Sequence, residues 1–182
     1  MRLFFAVEVP HGVRKRIDEL LAAERRKGLP IKWVKFENLH ITLKFLGETS
    51  EEKRRQITPV VEKIAGKHTD FQLNLENFGC FPDIRNPRVV WIGVGQGADE
   101  LKTIAGDLEE ELVHFGFKKE RRFHAHLTIG RVKKRCKLDD LIAGEFKTDP
   151  FRIKEFVLFK STLTPEGPVY EILQKFTLKQ KD

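Results

Sequence analysis

The string His-x-Thr-x, with aliphatic residues at both x positions, occurs twice in this chain: His40-Ile41-Thr42-Leu43 and His126-Leu127-Thr128-Ile129. Successive side chains of a strand point to opposite faces, so each copy, built as a strand, shows His and Thr on one side and buries two aliphatics on the other. With 6 His in 182 residues, chance placement gives about 0.3 His-x-Thr matches, and roughly 0.05 once both x positions must be apolar. A lone copy reads most simply as a surface strand. Two copies 86 residues apart, near half the chain, point to an internal duplication.

The elements around the two strings echo each other. Leu3 to Val9 reads as an interior strand ended by Pro10. Val13, Ile17, Leu20 and Leu21 then recur at helical spacing. Ile31–Val34 and Leu39–Leu46 come next as strands, and Ser50 caps a helix whose apolar face is Ile57, Val60, Val61 and Ile64. In the second half, Phe71, Leu73 and Leu75 alternate as one strand, and Val89–Val94 forms another after the turn-rich loop 81–88. Leu101, Ile104, Leu108, Leu112 and Phe115 define a long helix. His124–Val132 is the second motif strand, Leu138–Ala143 a short helix, and Phe151–Leu163 and Val169–Leu178 two closing strands. No low-complexity linker separates the halves. The expectation is an α+β fold over residues 1–182, a single bilobal unit: two pseudo-symmetric lobes, each an antiparallel sheet with helices outside, and a groove between them.

Composition narrows the partners. The 34 Lys and Arg against 27 Asp and Glu leave a net charge of +7, which favours an anionic partner, nucleic acid first among them. Two cysteines, Cys80 and Cys136, without a CxxC, suit free thiols in a reducing cytoplasm. The apolar run Met1–Val7 is cut short by Glu8 and by charges from Arg14 on, so neither a membrane span nor a leader is expected. A monomer is the default.

Two imidazoles and two hydroxyls around one small anion would make a device for moving protons at a phosphate. Histidine titrates near neutrality, so a pair can hold one base and one acid together. In a cyclic phosphodiester, one neutral imidazole would take a proton from attacking water while the opposite imidazolium protonates the departing ribose oxygen. Thr42 and Thr128 would donate to the non-bridging oxygens. Nothing in these residues ranks the two histidines as acid and base. His124 and His126 form an HxH pair, but no third ligand stands at a metal-binding spacing, and Asn38 occupies the place of His124 in the first half. Neither a metal nor a cofactor is expected, and His124 belongs beside the cleft or behind His126. Lys44 shares the His40 and Thr42 face and would lend it positive charge. Arg131, by strict alternation, falls on the opposite face unless Gly130 marks a bulge; it is either a contact to phosphate or RNA backbone or a structural ion pair. The basic runs 118–122 and 131–135 flank the second motif as a rim for RNA, and Phe36, Phe78, Phe81, Trp33, Trp91 and Tyr170 include candidate stacking surfaces, most of them core. His11, His68 and His114 are expected to be solvated.

Twin His-x-Thr-x motifs in a bilobal chain of this length resemble the 2H phosphoesterases. Within them, Arg2-Leu3-Phe4-Phe5-Ala6-Val7, Trp33-Val34, Asn38 to Gly47 and Pro87-Arg88-Val89-Val90-Trp91 resemble the RNA 2′,3′-cyclic phosphodiesterases, also called 2′-5′ RNA ligases. The resemblance implies a groove between two antiparallel-sheet lobes and hydrolysis of an RNA-terminal 2′,3′-cyclic phosphate to a 2′-phosphomonoester without a metal. It implies His40 as proton donor to the 3′-oxygen, His126 as proton acceptor from water, and Thr42 and Thr128 as phosphate ligands. It also implies the reverse 2′-5′ ligation, associated in the family with tRNA halves. The competing expectation is a module that binds RNA ends or nucleotides in the same groove without turnover; a small cyclic nucleotide is the alternative substrate.

Overall fold

Both motif strings form strands, and each lies in a different antiparallel sheet. The computed structural model describes residues 1–182. The strands are β1 (Arg2–Glu8), β2 (Ile31–Trp33), β3 (His40–Glu48), β4 (Phe71–Leu73), β5 (Leu75–Phe81), β6 (Val89–Val94), β7 (His126–Val132), β8 (Phe151–Ile153), β9 (Glu155–Thr164) and β10 (Gly167–Thr177). The helices are α1 (His11–Arg25), α2 (Glu51–Lys67), α3 (Ala98–Leu112) and the short α4 (Asp139–Ala143). One sheet runs β10-β9-β1-β3 and the other β2-β7-β6-β5, with β4 and β8 as a separate pair. The lobes therefore do not coincide with the chain halves. The first sheet takes its far strands from the C-terminus, and the second takes β2 from the N-terminal half.

A single core lies behind both sheets. Ile41 and Leu43 of β3, and Leu127 and Ile129 of β7, enter one cluster of 35 buried residues that also takes Ile17 and Leu21 of α1, Ile57 and Val61 of α2, and Leu101, Leu108 and Leu112 of α3. A smaller buried cluster, Phe4, Ala6, Val157 and Phe159, lies on the other face of the first sheet. The uninterrupted apolar run of β1 thus serves two faces at once. Ser50 caps α2, its Oγ accepting from Lys53 N at 3.1 Å.

Two segments read as single strands are each two. The chain breaks at Asn74, whose carbonyl and Oδ1 accept from Gly95 N and Gln96 N. There it leaves the β4–β8 pair and joins the second sheet as β5. Lys154 is the matching break between β8 and β9, where its carbonyl accepts from Leu178 N. Alternation continues across Asn74, so the hydrophobic pattern does not mark that break, whereas at Lys154 the core-facing positions shift by one, from Phe151 and Ile153 to Phe156 and Leu158.

The pairing register holds the most consequential departure from strict alternation. In β3, Thr42 faces Ala6 and Lys44 faces Phe5, leaving Leu43 as an extra residue. In β7, Thr128 faces Trp91 and Gly130 faces Val90, leaving Ile129 extra. Each is a β-bulge, and each exchanges the faces of the residues after it. Lys44 consequently turns away from the groove. It is 2% exposed, and its Nζ donates to Glu109 Oε2 at 2.7 Å and to the Lys118 carbonyl at 2.9 Å. The expectation that Lys44 charges the groove is wrong, and the bulge is the reason. Phe45 takes the groove-facing place instead.

Removing one partner of a buried ion pair leaves the other uncompensated and costs about 3–5 kcal/mol, whereas an apolar replacement of both is near neutral. Glu109→Ala should therefore lower the unfolding free energy by about that amount in urea titrations. Lys44→Met combined with Glu109→Leu should recover most of it. A loss below about 1 kcal/mol in the single variant, the range of exposed pairs, would show that the pair does not hold α3 to β3.

Candidate functional site

β3 and β7 approach each other where the two sheets meet, and their exposed faces wall the groove. His40 and His126 are held the same way: His40 Nδ1 lies 2.6 Å from the Asn38 carbonyl, and His126 Nδ1 lies 2.6 Å from the His124 carbonyl. A carbonyl only accepts, so each Nδ1 carries a hydrogen and each Nε2 is the nitrogen left free to gain or lose a proton. His40 Nε2 lies 2.9 Å from Thr42 Oγ1. All four motif side chains are half-buried.

Burial lowers both imidazoles. His40 is brought from 6.5 to about 4, first by loss of water; its bond to Asn38 opposes this, and the charges of His126 and Arg131 add to it. His126 is lowered by burial as well, opposed by its bond to the His124 carbonyl and helped by the charges of His124 and Arg131. Above pH 6.5 the unliganded groove thus holds two neutral imidazoles beside a guanidinium. An anion entering it would favour the charged form of either ring and draw in a proton.

Arg131 stands in the groove. Because Ile129 is bulged, Arg131 is turned to the His126 and Thr128 face, the alternative that a bulge in this strand leaves open. Its charge acts on His40, on His126 and on Tyr170 of the opposite sheet. His124 precedes β7 instead of lying within it. Its carbonyl orients His126, and its ring packs on Trp91 at 4.9 Å between centroids and on Phe81 at 5.3 Å. The His124 and His126 rings are 5.9 Å apart, and no third His, Cys, Asp or Glu joins them as a metal-binding group. His68 is not simply solvated: its Nε2 lies 2.6 Å from Asp107 Oδ2.

Aromatic side chains build both walls. Phe4 and Tyr170 approach His40 at 5.1 and 5.3 Å, and Phe45, 56% exposed, lies 5.8 Å from Phe4. Phe81 and Trp91 approach His126 at 5.1 and 6.1 Å. Trp91 lies flat over Gly79, where a Cβ would sit 2.2 Å from the indole, so any larger residue there would displace the ring. Phe78 is buried in the core and Phe36 packs on His11. Sequence reasoning missed Phe4, Phe45 and Phe159; the signal for Phe4 was a strand apolar on both faces. A cavity of about 840 Å³ lies elsewhere, around Asp70, Arg152 and Lys181, and none of the motif residues lines it. A smaller one of about 390 Å³ opens beside Trp91 and His124.

The lowered histidines tie stability to pH with a definite sign. Between about 4 and 6.5 the unfolded chain binds a proton at His40 that the folded chain does not. Stability therefore rises with pH through this window, is fully present above 6.5, and is lost as pH falls toward 4. His40→Asn, whose Nδ2 still offers a donor to the Asn38 carbonyl, should flatten that part of the curve in denaturant unfolding at pH 7 and 4.5. Equal losses in wild type and variant would contradict the burial of His40.

Comparison with known proteins agrees with this architecture. The family model described as LigT like Phosphoesterase matches residues 7–91 and again residues 92–170, one motif in each segment. A protein of Methanocaldococcus jannaschii named RNA 2′,3′-cyclic phosphodiesterase is 40% identical over 181 residues, covering 97% of this chain and 100% of the relative. An Escherichia coli protein of the same name is 31% identical, covering 98% and 97%. Among solved structures, TT0787 of Thermus thermophilus matches with a TM-score of 0.84 at 28% identity over 100% of both chains. Escherichia coli LigT complexed with 3′-AMP matches at 0.80 and 29%, over 98% of each. The chain belongs to the LigT-like phosphoesterase family.

Proposed function

We propose that this chain hydrolyses the 2′,3′-cyclic phosphate at an RNA end to a 2′-phosphomonoester by acid–base catalysis from His40 and His126. The observation that carries the reading is the matched pair of imidazoles, each with Nδ1 tied to the carbonyl two residues upstream. Water attacks phosphorus and gives its proton to His126 Nε2. The bond from phosphorus to the 3′-oxygen breaks, and His40 Nε2 gives that oxygen its proton. Thr42 and Thr128 hold the non-bridging oxygens, and Arg131 offsets the charge that grows on them. One proton enters the pair as one leaves, so this balance needs no metal.

The order of acid and base follows the family resemblance. Burial lowers both imidazoles, so either ring, once protonated, is a stronger acid than a free imidazolium. The same groups would run 2′-5′ ligation when a 5′-hydroxyl attacks phosphorus in place of water. The matched bulges and the two consecutive segments that fit one family model support a single bilobal unit made by duplication. The two free thiols suit work in the cytoplasm. No helix is long and apolar enough to cross a membrane.

Loss of a general acid or base removes about 10²–10⁴ in rate. His40→Ala and His126→Ala should each lower kcat by that range on a nucleoside 2′,3′-cyclic phosphate, with EDTA without effect and 2′-phosphate the only product. Turnover near wild type in either variant would overturn the reading. Tight binding of the cyclic nucleotide without turnover in the wild type would favour a binding module instead.

A further inference from the structure

Arg131 has a direct cross-strand neighbour of the same charge. Lys32 of β2 faces Arg131 of β7 in the register, with Ile31 facing Val132 and Trp33 facing Gly130. Residues directly opposite share a face. Ile31 belongs to the core, and a Cβ on Gly130 would meet Ile31 and Trp33, which puts those residues on the helix side and Lys32 with Arg131 on the groove side. Both are exposed. Like charges directly opposite one another destabilise a sheet, and neither side chain has a carboxylate within ion-pair distance.

The pair sits at one end of the groove. Lys32 Nζ lies 3.7 Å from where a Cβ on Gly167 would be, so the ammonium reaches the β9–β10 turn of the opposite sheet. That turn is tied to the first motif by Asn38 Nδ2, which donates to the Pro168 carbonyl at 2.9 Å. Arg88 adds a further exposed cation beside it, its carbonyl accepting from Val132 N at 2.8 Å. The other sheet is different at the equivalent place. Phe45, which comes after its own bulge as Arg131 does, is aromatic, and so are Phe4 and Phe159 in the same cross-strand row. Matched positions of the two lobes are therefore cationic on one side and aromatic on the other.

We propose that Lys32, opposite Arg131, forms a second phosphate subsite that binds the phosphodiester on the 5′ side of the terminal nucleoside, so that the enzyme selects RNA ends over single nucleotides. This rests on the reaction proposed above. A nucleoside 2′,3′-cyclic phosphate lacks that phosphodiester, whereas a dinucleotide ending in the cyclic phosphate has one. Lys32 is a specificity-determining residue in this account, with no part in the proton transfers.

The test is the ratio of kcat/KM for the dinucleotide to kcat/KM for the mononucleotide. Wild type should favour the dinucleotide, and Lys32→Ala should lower the ratio about tenfold, through KM, as expected for loss of one charge-assisted contact worth about 1.4 kcal/mol. Lys32→Arg should restore it. The salt slope of log kcat/KM on the dinucleotide should become shallower by about 0.7 in Lys32→Ala. A lysine with only a structural role would change both substrates alike, and an unchanged ratio in Lys32→Ala overturns the subsite. If wild type turns over neither substrate, the proposed reaction fails; the subsite is then decided by calorimetric affinities for the same two molecules, and equal weakening of both by Lys32→Ala overturns it.

Discussion

Ile41 and Leu43 from one sheet and Leu127 and Ile129 from the other enter the same hydrophobic core, and that shared burial sets the rotation of both motif strands. Each of the four is at most 3% exposed, and burying such a side chain stabilises by about 1.5–3 kcal/mol. Slipping both strands by one residue would expose all four and bury two His and two Thr. The penalty from the aliphatics alone is about 6–12 kcal/mol, comparable to the whole stability of a typical domain. The groove chemistry is thus fixed from behind. His and Thr face it because their neighbours cannot.

This is also why so much of the site was legible in the sequence. A period of two with aliphatics at alternate places carries the direction of every side chain in His40–Leu43 and His126–Ile129, and the structure keeps those directions. The residues just beyond each string were not legible in the same way. A bulge adds one residue without any change in apolar pattern, so Lys44 and Arg131 exchange the faces that alternation assigns them. Gly130 was the one hint, and its cause is steric: a Cβ there would lie 2.7 Å from Ile31 Cγ2. The α+β class and most elements followed from periodicity. The exchange of β2 into the second sheet did not, because three residues carry no signal of which sheet they join. The aromatic walls were hidden for a related reason, since Phe4 and Phe159 look like core until the groove is known to be a second buried face.

The electrostatics of the groove follow from its burial. Two imidazoles in a partly dry site, next to Arg131 and with no acid to hold a proton on them, are driven to the neutral form. That arrangement is poor for acid–base work when unliganded and well suited to it when an anion arrives, because the anion supplies the favourable interaction that burial removed. The ligand then controls the protonation state of the pair. The tied Nδ1 atoms leave the two Nε2 atoms as the sites of proton exchange, which the proposed division into one acid and one base requires.

The most direct test is to follow the ring resonances of His40 and His126 by NMR as pH is varied, free and saturated with adenosine 2′-phosphate. The account predicts that both rings are neutral above pH 6.5 in the free protein. With the phosphate bound, one of them should stay protonated above that pH, and both should keep the hydrogen on Nδ1. Titration of both rings near 6.5 in the free protein, with no change when the phosphate binds, would contradict it.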